Sequence, residues 1–173
     1  MGARVSVAQA IERSSHAFRD VVWPTMGPLL GGGHVIPVES VTDSAMSTAL
    51  DTLAGVDLWY VANREVYPVA SRVQYGRAWN TFTIRYSRRS GVATEYQKRV
   101  TSILSGSLYP RITIQAFIQG GQLLAAAAVD TEHLIQKATE YRGQVRVNGQ
   151  DGASFIYVSW DQCDPAYIIK WEA

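Results

Sequence analysis

From Val5 to Val22 the apolar positions Val5, Ala8, Ile11, Ala17, Phe18 and Val21 recur mostly at steps of three and four, predicting an opening helix with Ser6 as N-cap. Pro24 and the run Met26-Gly-Pro-Leu-Leu-Gly-Gly-Gly33 are expected to stop it in a loop, the three glycines marking a turn or a close backbone approach. His34–Val41 is short and rich in β-branched residues, and Thr42–Leu53 reads either as a connection or as a short helix. Strand signals follow. Val56–Val61 and Val66–Gln74, joined by Ala62-Asn-Arg-Glu65, predict a hairpin, and Thr81–Tyr86 supplies a third strand. Ala93, Tyr96, Val100, Ile103 and Leu104 share one face of a helix that begins after Ser90-Gly91. Arg111–Ile118 and Leu123–Val129 flank Gln119-Gly-Gly121 as two more strands, and Asp130 or Thr131 can cap a helix running through Glu140. Val145–Val147, Ser154–Ser159 and Tyr167–Trp171 complete a strand-rich end. This order predicts an α/β fold, a central mixed β-sheet flanked by helices, in a single domain over residues 1–173.

Composition narrows the class. With 173 residues, 47% hydrophobic and 18% charged, the chain has the length and apolar content to bury a core and is not a disordered segment. The uncharged runs Val21–Val38 and Ile112–Val129 are interrupted by prolines and glycines, or by glutamines and glycines, so neither makes a membrane helix. The N-terminus carries Glu12, Arg13, Arg19 and Asp20 too early for a signal peptide, and the single Cys163 excludes an intrachain disulfide. A cytoplasmic protein with no membrane partner is the expectation.

Net charge is only +1, but it is unevenly spread. Arg72, Arg77, Arg85, Arg88, Arg89, Lys98 and Arg99 face Glu95 as the single acid in that stretch. Tyr75, Trp79, Tyr86 and Tyr96 are interleaved with them. Guanidinium groups suit phosphates and aromatic rings suit bases, so Arg77, Arg85, Arg88, Arg89, Lys98, Arg99 and Trp79 are the expected nucleic-acid contacts. Ser87-Arg-Arg-Ser-Gly91, just before a helix, reads as a phosphate-facing loop.

The remaining chemistry centres on Ala54-Gly-Val-Asp57 at a strand start, followed by the return strand Val69-Ala-Ser-Arg-Val-Gln74. Side chains alternate along a strand, so Ala70, Arg72 and Gln74 share one face. On these residues the chain resembles the restriction-endonuclease-like, or PD-(D/E)XK, phosphodiesterase superfamily over roughly Ala10–Leu104. That family pairs a Gly-apolar-Asp strand with one carrying Glu-x-Lys. The resemblance implies a nuclease-like core, Mg²⁺ as cofactor, Asp57 as a metal ligand and Glu12 as the helix acid. In one register Ala70 stands for the second carboxylate and Arg72 for the lysine; shifted by two, Arg72 and Gln74 take those places. Neither supplies a second acid, which leaves Asp51, Glu39, Glu12 or Glu95 to fold back to the metal. Arg72 would then stabilise the phosphate and Gln74 orient water or a base edge. The Ala54–Asp57, Ser71–Gln74, Asn80–Thr83 and Thr94–Tyr96 segments are similar to runs in uncharacterised phage and bacterial proteins.

Three functions follow as alternatives. The first is a nucleic-acid-binding protein, acting on DNA or RNA, with Mg²⁺-dependent phosphodiester hydrolysis at Asp57. The second is a catalytically inactive binding or inhibitor module that occupies nucleic acid or a partner protein. The third is a receptor for a short phosphate ligand. His16, His34 and His133 lack any two-histidine spacing on one helix face, and Cys163 has no evident base beside it.

Overall fold

The computed structural model describes residues 13–41, 43–141, 145–147 and 152–173, without the side chains of Val41, Asp51 and Thr52. Helix α1 covers residues 13–29, with a π turn at Phe18–Val22 and an α-helical end at Trp23–Leu29. The expected stop at Pro24 does not occur. In the π turn the Trp23 N–H reaches back to the Phe18 carbonyl, so Pro24 falls in the first turn of a new α-helical stretch, where a missing N–H costs little.

The chain continues as β1 (His34–Pro37), α2 (Val38–Val41), α3 (Ser44–Ala49) with a π turn at Leu50–Ala54, β2 (Leu58–Ala62) and β3 (Glu65–Tyr75). Strand β4 (Thr81–Ser87) and helix α4 (Glu95–Ser105) precede β5 (Ile112–Gln119), β6 (Gln122–Asp130) and α5 (Thr131–Glu140). Strands β7 (Arg146–Val147), β8 (Ser154–Ser159) and β9 (Ile168–Glu172) follow.

Six strands form a mixed sheet in the order β1-β2-β3-β5-β6-β9, in which β3 and β5 are parallel and the other neighbours antiparallel. Strand β4 is not the third strand of this sheet. It pairs with β8 in a smaller sheet, β4-β8-β7, because β5 takes the free edge of β3.

Period-two alternation builds both sides of the main sheet. Ile114, Ala116, Ile118, Ala126 and Ala128 meet Phe18, Val22 and Met26 of α1 on one face. Phe117, Ala125, Ala127 and Val129 meet Phe82, Ile84, Ile156, Val158 and Leu134 on the other. The alanines of β6 let the layers approach closely, and Trp160, 1% exposed, fills the space between Phe82 and Phe117. Helix α4 opens with a capping box between Thr94 and Gln97, and Asp130 caps α5 by accepting the His133 N–H at 2.9 Å.

The glycine run ends in the close approach that its composition suggested. Gly33 has φ +100°, and a Cβ there would stand 2.4 Å from the Val61 carbonyl oxygen. Tyr60 fixes the same turn, its one hydroxyl proton shared between the carbonyls of Leu30 and Gly32, each oxygen 2.7 Å away.

Candidate functional site

Strands β3, β4 and β5, helix α4 and the segment leading into β2 enclose a cavity of about 210 Å³. Its walls include Asp57, Arg72, Arg85, Arg88, Glu95, Lys98 and Arg99, and its floor includes Ala70, Thr83, Thr113 and Gln115, all buried. The departure of β4 from the main sheet makes room for it. Thr83 of β4 is tied back to β5 by Gln115, whose Oε1 accepts the Thr83 N–H at 2.8 Å.

Asp57 extends the hairpin by one residue. Its N–H donates to the Val69 carbonyl at 2.9 Å, and its Oδ2 accepts the Ser71 N–H at 2.7 Å. Backbone of the return strand thus holds the carboxylate against β3.

Glu95, in the first turn of α4, lies between two guanidinium groups. Arg72 Nη2 donates to its Oε2 at 2.7 Å and Arg99 Nη2 to its Oε1 at 2.8 Å, while the Arg85 N–H also approaches Oε2. Burial pushes the Glu95 carboxyl up, but Arg72, Arg99 and Arg85 together outweigh it and hold the group below its ordinary value. Glu95 is therefore an ionised positioning group for the arginines.

The arginines are only partly satisfied. Arg99 is 3% exposed, and its Nε and Nη1 find no partner among the described residues. Arg85 and Arg88 likewise each keep a buried Nε without one, although Arg88 Nη2 donates to the Ala93 carbonyl at 2.8 Å. A buried donor left unpaired costs about 1–3 kcal/mol, and more when charged, so three such groups around one cavity are suited to an anion. Five basic side chains line it against two acidic ones.

The structure brings together Asp57, Arg72, Arg85, Arg88, Glu95, Lys98 and Arg99, but not every expected residue. Gln74 follows Arg72 on β3, opposite Phe117, beyond the cavity. Arg77 lies over the Trp79 ring, 4.8 Å from its centroid, in the β3–β4 connection outside the lining residues. The Arg89 side chain packs against Gly152, and Glu39 is exposed on α2. The Asp51 side chain and Glu12 lie outside the described residues. Gln115 and Thr113 were not among the expected site residues; the signal available was a glutamine inside the otherwise apolar Ile114–Ile118 run.

Mg²⁺ requires oxygen ligands in near-octahedral geometry. Among the described residues no three of His, Cys, Asp and Glu cluster to hold a metal, and both Glu95 oxygens already accept from arginines. As arranged, the described donors do not fit that ion. A wider hollow of about 880 Å³ beside Tyr67 and Tyr167 has mostly apolar walls and none of the expected site residues. No described helix is long and apolar enough to cross a membrane. Comparison with protein-family models, curated proteins and solved structures finds no match.

Proposed function

We propose that this chain is a nucleic-acid-binding module with a restriction-endonuclease-like core, whose cavity holds a phosphate of the bound strand. The observation that carries this reading is buried Arg99, which keeps two unpartnered guanidinium nitrogens and lines a cavity shared with Arg72, Arg85, Arg88 and Lys98. Arginine presents planar, always-charged donors that match phosphate oxygens. Placement of Asp57 just before β2 and Arg72 within the paired strand β3 supports the likeness to the nuclease core.

A second reading, Mg²⁺-dependent hydrolysis at Asp57, is what the resemblance implies, although the described donors as arranged do not hold that ion. It requires a further acid beside Asp57, for which Asp51 is the sequence candidate.

One assay tests both readings. Wild type, Arg99→Gln and Asp57→Ala are incubated with labelled single- and double-stranded DNA and RNA, in Mg²⁺, Mn²⁺ or EDTA, and binding and cleavage are read together. The module predicts metal-independent binding that Arg99→Gln weakens about tenfold or more. Cleavage requiring both metal and Asp57 establishes the second reading instead. Absence of binding to every nucleic acid rejects both and points to a protein or small-molecule partner.

A further inference from the structure

We infer that the cavity takes the terminal phosphate of a nucleic-acid strand, a phosphomonoester with one substituent, in preference to an internal phosphodiester. The inference rests on the reading of the cavity as a phosphate site and specifies which phosphate.

Shape is the first argument. The cavity is closed below by β3 and β5, where Ala70 is 3%, Ile114 1% and Gln115 2% exposed. Arg99, which must be reached for its unpartnered donors to be satisfied, is itself 3% exposed. An internal phosphodiester carries a sugar on each side, and both must find a way out if the phosphate descends to a buried guanidinium. A monoester descends with a single tail behind it.

Size agrees. About 210 Å³ is less than the roughly 300–1,000 Å³ of pockets that engulf a drug-sized ligand, so the cavity suits a headgroup with its nucleoside left outside.

Charge is the third argument. Five cationic side chains against Asp57 and Glu95 leave a local excess of three positive charges. A phosphomonoester brings about −1.5 to −2 at neutral pH, whereas each phosphate within a strand brings one negative charge. The dianion makes better use of that excess. Its third terminal oxygen also offers one more acceptor in a cavity whose Arg85, Arg88 and Arg99 guanidinium groups keep unpartnered nitrogens.

The test compares one oligonucleotide sequence in four forms: 5′-phosphorylated, 3′-phosphorylated, with hydroxyl at both ends, and circularised. Each is titrated into the full chain at fixed salt, with inorganic phosphate and a mononucleoside monophosphate as competitors. The expected result is that one phosphorylated form binds about tenfold or more tightly than the hydroxyl-ended and circular forms. Arg99→Gln is expected to erase that preference while circular dichroism remains native. Arg88→Gln, at a less buried wall position, supplies a second variant if Arg99→Gln does not fold.

Equal affinity for all four forms overturns the inference but leaves the nucleic-acid reading intact. Binding of the mononucleotide as tightly as the phosphorylated strand overturns the strand as the source of the phosphate, in favour of a small ligand. No binding by any form removes the nucleic-acid reading itself.

Discussion

Arg72, midway along β3, donates from Nη2 to Glu95 Oε2 at 2.7 Å across 23 residues of chain, fastening the main sheet to the start of α4. Arg99 occupies the other oxygen from one helical turn further on. Glu95→Ala removes the single anion between two guanidiniums, one of them almost fully buried. Removing one partner from a buried pair is strongly destabilising, so the expected loss is about 3 kcal/mol, read as a lowered urea midpoint with an unchanged slope. Glu95→Gln retains the shape without the charge and is expected to fall between the two. A midpoint equal to wild type would show that the arginines do not depend on this carboxylate.

The same group sets an acid limit. Its carboxyl is held below the ordinary glutamate value of about 4.3 in the folded state, so the unfolded chain binds the proton more readily. The Glu95 contribution is present above that ordinary value and is lost as pH falls through the lower folded-state value. The stability difference between wild type and Glu95→Gln should therefore be constant near pH 6 and shrink below about pH 4.3. Urea titrations from pH 6 to pH 3 measure it; a gap independent of pH would show that Glu95 does not titrate differently on folding.

In the turn before β1, Gly33 combines a left-handed φ of +100° with a Cβ position that would collide with the Val61 carbonyl oxygen, while Gly32, at φ +83°, has nothing within 4 Å. Gly32→Ala should incur only backbone strain, about 1–3 kcal/mol. Gly33→Ala adds a collision with the β2 backbone and is expected to be clearly worse. Thermal melts of the two variants separate the contributions; equal melting temperatures would mean that β1 shifts away from β2 without cost.

Much of the fold was legible where a local signal and its structural cause coincide. The β2–β3 hairpin followed from two strand-forming runs about a short polar turn, and α5 from the capping residues Asp130 or Thr131 ahead of it. Pro24 misled because the π turn before it depends on backbone pairing that no side-chain pattern records. The departure of β4 was illegible for a different reason: β-propensity identifies Thr81–Tyr86 as extended but says nothing about which edge receives it. At the site, Asp57 was marked by its position before a strand, and the arginines by their local charge excess. Gln74 did not reach the cavity, because β3 is longer than the floor it supplies. Gln115 interrupts an apolar run without revealing that it faces Thr83 across the layers.

The cavity draws its lining from residues 54 to 134, and its floor includes β5, which reaches β3 only after the chain has crossed over through β4 and α4. Such long-range pairing pays loop-closure entropy before it is rewarded, so the cavity is complete only once this non-local pairing is in place. A stretch ending at Leu104 would carry all five cationic wall residues and still lack the pit they surround. A ligand of the kind proposed would consequently act on the whole of that long-range unit, raising the free energy of its opening by RT ln(1 + [L]/Kd).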